Sequence, residues 1–142
     1  MNNFLTDKEM TSLVECIRLA EEQSTGEIHV HIDSNTQENN AQVAFDEFVS
    51  LCKGKTAELN AVLFHINFQQ KYLTIIGDEG IHQKVKQNFW DTLHDEITEG
   101  FAQKKYYEAL ALAIEKTGSK LKKHFPIKGE NKNELPNEIT FS

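Results

Sequence analysis

Asp78 and Glu79 stand between two glycines, in Gly77-Asp78-Glu79-Gly80, where an apolar strand pattern gives way to a helical one. Carboxylates supply the oxygen ligands that calcium and magnesium prefer, and flanking glycines let the backbone take unusual angles around them. The chemistry this spacing predicts is binding of Ca2+, with Mg2+ as the alternative ion; the competing reading is a polar turn with a good helix start. Glu27, at the head of another strand pattern, and Asp91, a few turns into the following helix, complete a candidate ligand set of Glu27, Asp78, Glu79 and Asp91. His29 and His31 alternate on one face of their strand, and His65 lies on the neighbouring one. Two such imidazoles plus a third have the composition of a zinc site. Composition does not fix coordination geometry, and the preferred reading is partly buried polar side chains under a covering helix.

Nucleophilic hydrolysis finds no support in motifs. There is no GxSxG, no P-loop and no Cys–His pairing suggested by spacing. A phosphatase would have to use a metal-activated water, with His82 as a proton donor if it faced the turn; a solvent-exposed place in the first helical turn is the expectation for it.

The elements that must position these residues are legible as periodicities. Thr6-Asp7-Lys8-Glu9 has the form of a capping box and opens a helix with Met10, Leu13, Val14, Ile17 and Ala20 on one stripe. EIHVHID alternates, Ile28, Val30 and Ile32 to one side and Glu27, His29, His31 and Asp33 to the other. A second helix carries Ala41, Ala44, Phe45, Phe48, Val49 and Cys52 and stops at Gly54. NAVLFHINF and YLTII, joined by QQK, form an antiparallel hairpin. Helices over about Ile81 to Glu99, stopping at Gly100, and Lys105 to His124 follow. Both prolines, Pro126 and Pro136, fall in the last stretch. The expected division is therefore a domain over 1–126 and an irregular, dispensable tail over 127–142.

Helix, strand, helix, hairpin and two helices predict an α/β class: a three-layer α/β/α sandwich around a small mixed sheet. A helical crossover makes the first two strands parallel. The third runs back, so its end at Gly77-Asp78 reaches the same sheet edge as Thr25-Gly26-Glu27. That edge is where the acidic ligands are expected to converge.

Composition narrows the partners. The 142 residues hold 15 Lys and Arg against 22 Asp and Glu, a net charge of −7. Nucleic acid and anionic membranes call for a basic footprint, so a divalent cation, and beyond it a protein partner, are the partners expected. The opening MNNFLTDKEM has no apolar signal region, and no apolar run is long enough for membrane insertion. The expectation is a cytoplasmic, reduced protein in which Cys16 and Cys52 are buried free thiols.

TGEIHVHI, the hairpin NAVLFHINFQQKYLTIIGDEGI, the Phe89-Trp90-Asp91 helix and GFAQKKYYEALALAIEKTGSKLKKHFP, in that order, resemble the TPM-domain family of thylakoid-lumen and bacterial envelope proteins. The resemblance covers roughly Thr6 to Pro126, and KNELPNEITF resembles the tail of its short soluble bacterial subgroup. It implies an α/β/α sandwich that binds divalent metal, mainly calcium, at an acidic site, and a phosphatase activity in the plant branch. By motif position Thr25, Gly26 and Glu27 correspond to the family's TGxE start, Gly77 to Gly80 to its glycine-bracketed turn, and Trp90 and Asp91 to the helix facing it. Three functions follow for test: a metal-binding domain, a metal-dependent phosphatase on small phosphoesters, and a protein-interaction module.

Overall fold

Alternation in three short segments builds the sheet, and helical stripes cover it. The computed structural model describes residues 4–34, 39–127 and 139–142. In chain order the elements are α1 (Asp7–Glu21), β1 (Glu27–Asp33), α2 (Asn40–Leu51), β2 (Ala61–Asn67), β3 (Tyr72–Gly77), α3 (Glu79–Ala102), α4 (Tyr106–His124) and β4 (Thr140–Phe141). Spatially the strands run β3-β2-β1-β4. β1 is parallel to both β2 and β4, and β2 is antiparallel to β3. The expected α/β architecture with a mixed sheet and helices on both faces is what forms.

The larger core lies on the face carrying Ile28, Val30, Ile32, Val62, Phe64 and Ile66, packed with α1, α3 and α4. α2 covers the other face through a smaller cluster of Phe48, Cys52, Ala61 and Leu63. The capping box at Thr6 is realised: the Glu9 N–H donates to the Thr6 hydroxyl (3.0 Å) and the Thr6 N–H to the Glu9 carboxylate (2.9 Å). This satisfies two of the donors a helix start leaves free.

Three expectations need correction. Phe45 and Val49, expected in the buried stripe of α2, are 44% and 42% exposed, because the helix meets the sheet along the narrow line of Ala44, Phe48 and Cys52. Gly100 does not end α3, which continues to Ala102. A Cβ there would sit 2.6 Å from that of Ala109, so the glycine lets α3 and α4 approach closely. Last, part of the tail expected to be irregular is ordered. Thr140 and Phe141 pair with His31 and Ile32 along the free edge of β1, and Ile139 packs against the main core. An unpaired strand edge is a row of open donors and acceptors; the Ser142 N–H donates to the Ile32 carbonyl (3.1 Å) and the Ser34 N–H to that of Ser142 (3.2 Å). Residues 128–138, the rest of that tail, lie outside the described residues.

Candidate metal centre

The sheet face beneath α2 is unusually polar. Glu27, His29, His31 and Asp33 of β1 and His65 of β2 are all buried, between 1% and 3% exposed. Strand alternation puts them on one face, and parallel register sets His31 directly beside His65. The two rings stack with centroids 5.5 Å apart. Asp33, two residues on, returns to the same face, and its Oδ2 lies 3.4 Å from His65 Nε2.

His31, Asp33 and His65 each offer a ligand atom, and those atoms lie within 4.8 Å of one another. Among the described residues no other group of three His, Cys, Asp or Glu side chains does so. His65 Nε2 is buried and makes no hydrogen bond there. An unbonded buried nitrogen facing a carboxylate oxygen carries a desolvation cost, and a cation between the two would remove it. Two metal bonds of about 2.1 Å at a tetrahedral angle set ligand atoms roughly 3.4 Å apart, which matches the observed separation. Glu47 of α2 adds a carboxylate 3.9 Å from His31 Nε2.

Burial favours the neutral form of both imidazoles, the form a metal requires. Burial is the main cause that lowers the pKa of His31, against opposing pulls from Glu47 and Asp33; burial followed by the neighbouring His31 lowers that of His65. Neutral imidazole is the ligating species. The end of the chain is tied to these rings. The Thr140 hydroxyl bridges His29 Nε2 and His31 Nδ1, 2.7 Å from each, and the Ser142 hydroxyl lies 2.8 Å from His31 Nε2. At the outer end, Asn67 donates to the Asn40 side chain (3.0 Å), and Asn40 contacts Gln70; this ties the start of α2 over the mouth of the cluster.

The residues expected at the acidic edge lie apart from this cluster. β1 and β3 do bring Glu27 and Gly77 to one end of the sheet, as expected from topology, but β2 runs between them. Two inter-strand steps place their backbones roughly 10 Å apart. Asp78 caps α3: its Oδ1 accepts from the Glu79 N–H (2.8 Å) and its Oδ2 from the Gly54 N–H (2.9 Å). Glu79 is exposed in the first turn, and exposed Asp91 accepts from the Gln87 amide (3.0 Å). Packing accounts for the bracketing glycines, since a Cβ on Gly77 would strike the Trp90 ring and one on Gly80 the backbone of Glu58 and Leu59. His82 is half-buried, not exposed, and its Nδ1 accepts from the Trp90 indole N–H (3.0 Å).

Glu27 has a different neighbour. Glu21, at the end of α1, is buried beside it and receives the Ile28 N–H. Burial first, and the Glu27 charge second, push the Glu21 carboxyl up to about 9. Glu21 is therefore protonated at neutral pH.

Two residues of this face and its edge, Asp33 and Glu21, are absent from the expected site sets. The HxD spacing of His31 and Asp33 is the sequence signal for Asp33, and it overlaps the HxH pair of His29 and His31. Glu21 gave no signal beyond being an acidic residue near a helix end.

Known proteins share this fold. The TPM domain pattern matches residues 1–120, and the chain belongs to the TPM domain family. Its fold over its whole length is similar to the solution structure of the BA42 protein from the psychrophilic bacterium Bizionia argentinensis: 36% identity, 100% of this chain and 98% of that one covered, TM-score 0.90. Two distant structures share the fold alone. One is the N-terminal domain of the cg2496 protein from Corynebacterium glutamicum, at 12% identity and TM-score 0.59, covering 82% of this chain and 74% of that one. The other is the N-terminal domain of a P. gingivalis protein, at 13% identity and TM-score 0.62, covering 89% and 84%. No curated protein sequence matches. Among the described residues no helix is long and apolar enough to cross a membrane.

Proposed function

We propose that this TPM domain binds a divalent metal ion through His31, Asp33 and His65, with Glu47 in reach as a fourth ligand. The observation that carries the reading is the buried, unbonded His65 Nε2 3.4 Å from Asp33 Oδ2, inside a three-residue ligand group. Two imidazoles and one carboxylate suit zinc, ferrous iron and their neighbours better than calcium, which prefers oxygen throughout. With Glu47 outside the shell, the three-ligand set leaves a coordination position that hydrolytic sites give to water; slow, metal-dependent turnover of a small phosphoester is the catalytic form of the same reading. The test is titration with Co2+, read by its visible absorption, and with Zn2+ in competition. One ion per chain should bind, and His31→Ala and His65→Ala should each weaken binding at least tenfold. Unchanged affinity in both variants, with native amide spectra, would overturn the assignment. Phosphoester turnover that survives chelation, or the His65→Ala change, would remove the catalytic form alone.

A second reading keeps calcium or magnesium at the opposite end of β1, on Glu27 with the neighbouring Glu21; Asp78, Glu79 and Asp91, expected beside them, lie apart. Two buried carboxyls side by side favour it, because a cation that displaced the Glu21 proton would meet oxygen donors there. Saturating calcium should then move the amide shifts of Glu21 and of Thr25 to Ile28. Calcium that leaves all of them in place eliminates this reading without touching the first.

A further inference from the structure

On the other face of the sheet, a cleft of about 530 Å3 opens between the β2–β3 hairpin, the second half of α3 and the start of α4. Its walls are aromatic and aliphatic. Phe4 sits at the centre, its ring 5.3 Å from that of Phe101 and 5.0 Å from that of Tyr106, with Leu73 on the sheet side. Ligand sites for small organic molecules have this size and this largely apolar lining, with a few polar groups to set orientation. Among the lining groups, His94 is already committed, its Nε2 lying 3.0 Å from the Leu73 carbonyl.

The charged groups lining the cleft are both lysines, Lys71 from the hairpin turn and Lys104 from the α3–α4 turn. In a chain of net charge −7, this is a local reversal of sign. Neither ammonium has a carboxylate within 4.0 Å among the described residues. Both residues also hold left-handed backbone, at φ 55 and φ 62. That conformation is uncommon for a residue with a long side chain and is easier for glycine or asparagine. Such strain gathers at ligand sites, where the surrounding structure sustains it. Two turns on opposite sides of one apolar cleft thus each present a lysine in left-handed backbone, without a carboxylate partner among the described residues.

We propose that this cleft binds a single-chain amphiphile with an anionic head, its chain among Phe4, Phe101, Tyr106 and Leu73 and its carboxylate or phosphate between Lys71 and Lys104. Lysine acts as a point charge and serves either head group. The site is independent of the metal reading, with which it shares no ligand residue.

Decanoate and decyl phosphate, each below its aggregation concentration, are titrated into the full chain with decanol as the uncharged control. Amide shifts of Leu73, Thr98 and Tyr106 report binding. At least one anion should saturate these shifts, and the tighter of the two identifies the head group. Decanol should bind roughly tenfold more weakly, the scale of two partly exposed charge pairs. The double change Lys71→Gln with Lys104→Gln should bring the anion down to the level of decanol. Thr98→Trp, which fills the cleft from α3, should abolish the response to all three. Equal binding of decanol and both anions, or anion binding that survives in both variants, overturns the proposal. So does the absence of saturable shifts at these residues.

Discussion

The two ends of β1 bury ionisable groups on the same sheet face, yet with opposite acid–base character. At the start, Glu27 faces Glu21, whose carboxyl rises to about 9 under burial and the neighbouring charge. At the finish, His31, Asp33 and His65 cluster, and burial lowers both imidazoles. Burial acts on both ends, and in each it favours the neutral form. A neutral carboxyl has lost the charge that attracts a cation, whereas a neutral imidazole has gained the lone pair that binds one. Burial thus leaves Glu21 protonated beside Glu27 at one end of β1 and readies the imidazoles at the other.

The largest expected effect separates the two ends by their response to metal. Zinc at about a hundred times its dissociation constant should add roughly 2.7 kcal/mol of stability, seen as a rise in melting temperature. His65→Ala should erase that rise and Glu27→Gln should leave it intact. A Glu27→Gln protein that no longer responds would collapse the distinction.

Next in size is the contribution of β4. Thr140→Val keeps the shape but removes the hydroxyl shared by His29 and His31. Leaving buried nitrogens without partners should cost roughly 2 kcal/mol, measured by urea unfolding. A loss no larger than that from a surface change such as Lys116→Gln would show that the histidine end does not depend on the strand.

The pH dependence sharpens the contrast, because the two ends have opposite linkage. His29 falls from 6.5 to about 4, through burial first and the charge of His31 second. The unfolded chain takes up that proton first, so the stability is complete above pH 6.5 and is lost as pH falls toward 4. Glu21 rises from 4.5 to about 9. The unfolded chain releases that proton first, so its stability is complete below pH 4.5 and is lost as pH rises toward 9. Between about pH 7 and 9 the carboxyl end alone acts of these two, and each pH unit should remove up to roughly 1.4 kcal/mol. Glu21→Gln should flatten this alkaline limb and leave the acid limb unchanged. Persistence of the alkaline limb in that variant would assign it elsewhere.

The smallest effect concerns the turn beside the acidic end. Asp78→Asn retains one capping acceptor and loses the one that receives the Gly54 N–H. About 1 kcal/mol should be lost, without change in zinc binding.

Much of this fold can be read from local pattern. The alternation of EIHVHID and AVLFHIN, the Thr6 capping box and the hairpin around Gln69-Gln70 depend on neighbours within a few residues, and all are realised. What could not be read depends on distance. The free edge of β1 orders Thr140 and Phe141, and no local signal announces that pairing. Phe45 and Val49 fit the helical period of α2 but outrun the narrow strip of sheet beneath it. The candidate site divides the same way. That His31 and Asp33 share a face follows from alternation, while the placement of His65 beside them required the register of β1 against β2. The acidic edge depends on strand order too, and one intervening strand separates Glu27 from Gly77.

The hydroxyls on the imidazoles also impose an order in time. Thr140 and Ser142 lie 109 to 111 residues after the histidines they contact. A chain emerging from the ribosome can bring β1, β2 and β3 together long before those residues are made. During that interval the nitrogens of His31 stand open, and pairing of β4 later places an oxygen on each of them. For a metal held by His31, Asp33 and His65, capture should thus be faster while the protein is being made or refolded than after β4 has closed on its edge. Synthesis order itself would then set when the ion is taken up.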